Sequence, residues 1–99
     1  MLPEDLNKKY DEFSKTVVNN NILDSKTTTM LYMAAAMAVG CYPWMAHLLG
    51  VAKEKGITED EITVIQGIVM AVSGGRVRAQ FHEVQTISSD KKTNIKDCV

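Results

Sequence analysis

Cys41 is placed where a reactive thiol could work, between a long apolar run and Pro43, which indicates the first turn of a new helix. Proline is favoured at that position because it lacks an N–H that would stay unpaired there. Unpaired backbone N–H groups and the positive end of the helix dipole favour a thiolate. Such a thiolate could carry out redox chemistry. Free cysteine is also among the most buried residue types, so a purely packed Cys41 is the competing interpretation.

Three neighbours of Cys41 are candidates to support it. Tyr42 and Trp44 flank the cysteine and would form an aromatic wall for an apolar ligand, or they could simply belong to the core. His47 follows Cys41 by six residues, which corresponds to about 240° around a helix. We therefore expect His47 to point away from Cys41 unless the start of the helix is irregular, and its other role is that of a histidine at the edge of the fold.

Two more distant residues are weaker candidates. His82 could reach a site in a neighbouring subunit, and Cys98 could resolve an oxidised Cys41 or pair between subunits. For both we favour the simpler interpretation, an exposed side chain without a role. Cys41, His47 and His82 do not show the spacing of a metal site, and the sequence has no CxxC pair and no glycine-rich phosphate loop. We therefore predict no metal and no cofactor.

Composition limits the classes of function. A chain of 99 residues forms one domain at most, and 45% hydrophobic with 23% charged residues is ordinary for a soluble protein. The net charge of −1 offers no surface for nucleic acid or an anionic membrane. Two distant cysteines are not a disulfide framework, and the first residues do not resemble a signal peptide. We expect a reducing, cytoplasmic location.

The spacing of apolar residues predicts helices throughout. A first helix over 3–18 carries one stripe of four apolar side chains, at Leu6, Tyr10, Phe13 and Val17. A second helix begins at a cap provided by Asp24 or Ser25 and reaches about Gly40. This second helix is apolar nearly all round, so we expect it to be buried on all sides.

Further signals place the rest of the chain. A third helix over 43–55 ends at Gly56, and Thr58 to Glu61 form a capping box that starts the fourth. We interpret Ser73-Gly74-Gly75 as a hinge or stop, followed by a short fifth helix whose apolar side chains point inward, namely Val77, Phe81 and Val84. We place a single domain at 1–84 and a polar C-terminal tail at 85–99.

The fourth helix also carries apolar residues on two faces, one with Ile62, Ile65, Val69 and Val72 and the other with Val64, Ile68 and Ala71. Two such apolar helices in so short a chain indicate apolar surface that is buried against another copy, so we expect a homo-oligomer. The stretch 27–52 contains no charged residue and is long enough to span a bilayer. Gly40 and Pro43 interrupt it, however, and we expect a buried helical hairpin instead of a membrane span.

Three segments together carry a resemblance to the carboxymuconolactone decarboxylase and alkylhydroperoxidase D-like family. They are Leu23-Asp24-Ser25-Lys26, Gly40-Cys41 and Gly56-Ile57-Thr58-Glu59-Asp60-Glu61-Ile62. The similar part covers about 23–75. The resemblance implies an all-α bundle of about five helices with a core antiparallel helical hairpin, assembled as a trimer or hexamer of small subunits.

Peroxidases of that family resemble one another in a glutamate, a CxxC pair and a histidine. Cys41 matches the first cysteine, while Thr29 occupies the glutamate position, Trp44 the second cysteine and Leu48 the histidine, with His47 just before it. Three of the four groups are therefore absent. The second thiol normally regenerates the enzyme and the glutamate–histidine relay deprotonates the first thiol.

The resemblance implies a thiol-dependent peroxidase or disulfide redox protein of antioxidant, peroxiredoxin-like activity. Cys41 would be the peroxidatic thiolate, weakly active or dependent on an external thiol reductant. One alternative is a non-catalytic oligomeric domain that binds a ligand or partner. Another is decarboxylase-like chemistry with His47 or His82 as acid/base and Arg76 or Arg78 as the carboxylate anchor.

Overall fold

The computed structural model describes residues 3–91, with side chains over 3–89. Four helices make up the described chain: α1 (Glu4–Val18), α2 (Ser25–Val39), α3 (Tyr42–Glu54) and α4 (Glu59–Lys91). The described residues contain no strand, which confirms the all-α class. The expected first three helices are found to within one or two residues at each end.

The expected break at Ser73-Gly74-Gly75 is wrong, because α4 passes through these residues as one helix of 33 residues. Neither Gly74 nor Gly75 has a positive φ. A glycine inside a helix costs about 1 kcal/mol relative to alanine, which two long flanking segments of helix can offset. No separate fifth helix exists in the described chain, and α4 extends past residue 84. The division into a domain at 1–84 and a tail at 85–99 stays a prediction.

A tight corner at Gly40 and Cys41 joins α2 to α3. Gly40 has a φ of 73°, and its N–H and that of Cys41 both donate to the carbonyl of Ala36. These bonds pair a backbone carbonyl in the last turn of α2, as in helices that end at a left-handed glycine. Tyr32 contacts Trp44 near this corner, and Lys55 Nζ donates to Ser25 Oγ at the far end. The two helices are therefore antiparallel, which confirms the hairpin.

The first turns of α2 and α4 lie side by side. The N–H of Thr27 donates to Asp24 Oδ1 at 2.6 Å and caps α2. In α4, the capping box forms as expected: Thr58 N–H donates to Glu61 Oε1 at 3.0 Å, and Glu61 N–H donates to Thr58 Oγ1 at 3.1 Å. An ion pair of 3.1 Å between Lys26 and Glu61 links the two starts, so α2 and α4 run parallel.

A small core lies where α2, α3 and α4 meet. Its buried apolar side chains are Met33, Ala36, Leu48, Ala52, Ile57 and Ile65. The expectation that α2 is buried on all sides fails within one chain, because Leu31 is 54% and Val39 79% exposed. Only the faces of α2 toward α3 and α4 are covered. Among the described residues, no helix is both long and apolar enough to cross a membrane.

Candidate functional site

The backbone of Cys41 forms hydrogen bonds with both helices of the hairpin. Its N–H closes α2 on the carbonyl of Ala36 at 2.9 Å, and its own carbonyl accepts the N–H of Met45 at 3.0 Å to begin α3. Cys41 is therefore the N-cap residue of α3, as expected. Its thiol makes no capping hydrogen bond to the backbone. The side chain is a free thiol, and the residue is partly exposed.

The thiol opens into a groove of about 440 Å³ between α1 and α2, which we call the Cys41 groove. Besides Cys41 its lining comprises Tyr10, Phe13, Ser14, Val17, Tyr32, Ala35, Ala36, Val39 and Trp44. None of these side chains is charged. The groove therefore suits an uncharged, largely apolar molecule, and four aromatic rings are available to pack against it.

Trp44 is the centre of a row of three rings. Its indole lies 5.5 Å from the ring of Tyr32, centroid to centroid, and 5.8 Å from the imidazole of His47. His47 is exposed and lies with Pro43 and Trp44 around a shallow depression, outside the lining of the Cys41 groove. Its imidazole therefore contacts an indole and is not placed as a base in the groove.

The aromatic wall differs from the one expected. Trp44 lines the Cys41 groove, but Tyr42 is 76% exposed and lies outside its lining. Tyr10, Phe13 and Tyr32 take that place. The sequence signal for two of them was the apolar stripe of the first helix, whose spacing predicts a buried face without indicating what covers it. In the structure Tyr10 and Phe13 line the groove but stay 59% and 65% exposed.

Thr29 and Leu48, the positions at which the resemblance implies a glutamate and a histidine, have structural roles. Thr29 is buried, and its hydroxyl donates to the carbonyl of Ser25 at 2.9 Å within α2. Leu48 is 5% exposed and belongs to the core. Neither side chain can take a proton from the Cys41 thiol.

The remaining candidates lie elsewhere. His82 is exposed on the C-terminal half of α4, on the same helix as the exposed Arg76 and Arg78. Cys98 lies outside the described residues. In the part of the chain that the structure describes, no three histidine, cysteine or acidic side chains gather as a metal site would require.

Comparison with known proteins adds the family. No curated protein matches the chain, and no solved structure matches it. A family model, that of the carboxymuconolactone decarboxylase family, matches residues 4–85. This match includes all of α1, α2 and α3, most of α4 and the whole Cys41 groove. The chain belongs to the carboxymuconolactone decarboxylase family.

Proposed function

We propose that the protein is a thiol-dependent peroxidase in which Cys41 is the reacting group and an external thiol is the reductant. The observation that carries this proposal is the partly exposed thiol of Cys41 at the N-terminus of α3, opening into an uncharged groove. Helix N-termini favour thiolates, and thiolates attack peroxides. Membership of a family that includes thiol peroxidases supports the same assignment.

The reaction balances with two thiols as the reductant. The Cys41 thiolate attacks the distal oxygen of a hydroperoxide, an S–O bond forms, the O–O bond breaks, and the alkoxide leaves as an alcohol after protonation. An external thiol then attacks the sulfenic sulfur, which releases water and forms a mixed disulfide. A second external thiol breaks this disulfide and restores Cys41, so the two external thiols are oxidised to one disulfide.

An external thiol is needed because Trp44 occupies the place at which a second cysteine would resolve the sulfenic acid. The groove is open to solvent and Cys41 is part of its lining, so a small thiol can approach this residue. No carboxylate or imidazole lines the groove to deprotonate Cys41 or the incoming thiol. General acid–base groups contribute typically 10²–10⁴-fold to a rate, so turnover is expected to be slow.

The test measures the oxidation of Cys41 separately from the complete catalytic cycle. Native protein is treated with one equivalent of hydroperoxide in the presence of dimedone, and the sulfenic acid adduct is located by mass spectrometry. We expect the adduct on Cys41, its loss in Cys41→Ser, and its retention in the matched control Cys98→Ser. Peroxide consumption with dithiothreitol should follow the same pattern. Unchanged consumption by Cys41→Ser would disprove the proposal.

A second candidate is a non-catalytic domain that binds an apolar ligand in the Cys41 groove. Thr29, Trp44 and Leu48 favour it, because each is engaged in packing or backbone bonding where a peroxidase needs a reacting group. Alkylation by iodoacetamide distinguishes the two. A Cys41 that is alkylated in the folded protein faster than a free cysteine under the same conditions supports the peroxidase, while a Cys41 that reacts no faster than free cysteine supports the binding domain.

A further inference from the structure

The C-terminal half of α4 projects from the body of the chain with an uncovered apolar stripe. Every residue over 74–89 is exposed, although the backbone is helical throughout. Val77, Phe81 and Val84 recur at i, i+4 and i+7, and they are 58%, 63% and 60% exposed. Spacing of this kind places the three side chains on one face of a helix. We call them the α4 stripe.

A second uncovered apolar surface lies on the body of the chain. It is a groove of about 490 Å³ between α2 and the first half of α4, here called the α2–α4 groove. Its apolar lining is Met30, Leu31, Ala34, Val64, Ile65 and Ile68. Leu31, Val64 and Ile68 are 54%, 61% and 55% exposed, so nothing within the described chain fills it.

The amount of open surface indicates that another protein chain covers it. The accessible surface is 8446 Å², against about 5,600 Å² expected for a compact monomer of this mass. The radius of gyration is 19.5 Å, against about 13 Å for a compact chain of this length. The excess area is of the order that obligate homo-oligomers bury, and a stripe and a groove on the same chain can cover each other between copies.

Charged residues beside the α4 stripe and the α2–α4 groove favour one orientation of the stripe within the groove. Asp60 and Glu61 lie at one end of the α2–α4 groove. Arg78 precedes Phe81 by three residues, so the two side chains are neighbours on the helix surface, and Arg76 lies just before the stripe. An α4 stripe that enters the groove with its arginine end toward Asp60 brings opposite charges together at the rim.

We propose that the α4 stripe of one copy docks into the α2–α4 groove of a second copy. Val77, Phe81 and Val84 then fill the groove, while Arg76 and Arg78 face Asp60 of the receiving copy, because Glu61 is already paired with Lys26 of its own chain. The stripe and the groove are different patches, so every copy donates one and receives one. Such a contact closes either as a ring or as a reciprocal pair. It goes beyond the peroxidase assignment and does not depend on Cys41.

Two variants that damage different halves of the contact provide the test. Phe81→Glu destroys the stripe and leaves the groove, and Ile68→Glu destroys the groove and leaves the stripe. By sedimentation equilibrium we expect the wild type to be an oligomer, and each variant alone to be a monomer. Mixed one to one, the variants should form a complex of twice the chain mass, because one intact stripe meets one intact groove.

Leu49→Glu is the matched control, since Leu49 is 50% exposed on α3 and belongs to neither patch. It should keep the wild-type mass. Circular dichroism checks that every variant retains its helices. A monomeric wild type would overturn the proposal, and so would an oligomer whose mass Phe81→Glu leaves unchanged or a mixture that stays monomeric.

A charge exchange tests the direction of docking. Arg78→Glu places a negative charge against Asp60, and Asp60→Arg places a positive charge against Arg78, so each should weaken association at least tenfold. The double variant restores opposite charges and should recover most of the affinity. Failure of the double variant to recover would contradict the arrangement at the rim.

Discussion

The imidazole of His47 packs edge-on against the indole of Trp44, with ring centroids 5.8 Å apart and planes at 77°, and the same indole lines the Cys41 groove. The residue three positions after Cys41 therefore does two things. It forms part of the wall beside the thiol, and it gives the nearest histidine along the chain an aromatic contact. The expected separation of Cys41 from His47 around the helix agrees with this placement.

Replacing Trp44 by cysteine should create a redox pair. Two residues three apart at the start of a helix have Cα atoms about 5–6 Å apart, within the range that a disulfide bridges. We expect Trp44→Cys to lose two hydrogen atoms in mass on mild oxidation, through a bond between Cys41 and the new thiol. Trp44→Ser removes the indole without adding a thiol and should not lose this mass. If Cys41 and the new thiol both stay free after mild oxidation of Trp44→Cys, the expectation is wrong.

Truncation of Leu48 should destabilise the core. Leu48 is 5% exposed between α2 and α3, and Leu→Ala changes at buried positions cost about 2–5 kcal/mol. The adjacent Leu49 is 50% exposed, so Leu49→Ala should change the free energy of unfolding by less than about 1 kcal/mol. Urea denaturation at equal protein concentrations measures both. Equal losses would mean that Leu48 is not part of the core.

An alanine at Gly40 should strain the corner that holds Cys41. Gly40 has a φ of 73°, and a side chain in this left-handed region costs about 1–2 kcal/mol, although an added Cβ would meet no atom within 4 Å. Gly50 lies inside α3 with equally open space. Gly50→Ala should therefore stabilise the protein by about 0.5–1 kcal/mol. Opposite signs of the two changes in thermal unfolding would confirm the conformational cause.

Alanine at Gly74 should strengthen α4. Gly74 is helical, and a Cβ there would meet no atom within 4 Å. The gain should be about 0.5–1 kcal/mol, with a small rise in helical circular dichroism. A hinge at this position would require glycine and would give the reverse result, with lower stability and unchanged helicity.

Stability should fall in mild acid because of two carboxylates at helix starts. Hydrogen bonds from the side chain and N–H of Thr27 hold the pKa of Asp24 below its ordinary value. The N–H of Thr58, followed by Lys26, does the same for the pKa of Glu61. Unfolding raises these pKa values toward about 3.9 and 4.3, so the unfolded state binds more protons in this range.

The stabilisation from these two groups is therefore present above about pH 5 and is lost as the pH falls through 4 toward the folded-state pKa values. Asp24→Asn with Glu61→Gln keeps hydrogen-bond acceptors at both caps and removes both titrations. The double variant should show a flatter thermal midpoint between pH 6 and pH 3 than the wild type. Parallel curves would assign acid lability to other groups.

Local signals in the sequence determined most of the secondary structure. Asp24, one of the two expected candidates, caps α2, and Thr58 pairs with Glu61 as expected. The helices end near Gly40 and Gly56 as expected, and both glycines have a positive φ. Each of these signals involves residues within four positions of one another. Such contacts form wherever the helix forms, so their residues can be recognised without knowing the rest of the fold.

The length of α4 could not be obtained in this way. Gly74 and Gly75 each weaken a helix, so a prediction from local signals ends the helix at these residues. Whether the helix continues depends on the sum of helix propensities over the residues on both sides, and in the structure the helix does continue. The same applies to the apolar stripe beyond them, which was expected to point inward and instead lies exposed on a projecting helix.

The sequence by itself determined that Cys41 stands at a helix N-terminus and that no second cysteine follows it at CxxC spacing. Only the tertiary structure decided what surrounds the thiol. Tyr10 reaches the groove from α1 and Tyr32 from α2, while Tyr42, the immediate neighbour, turns to solvent. The reason is that the surroundings of a side chain depend on how separate helices pack, and packing joins residues whose distance along the chain carries no local signal.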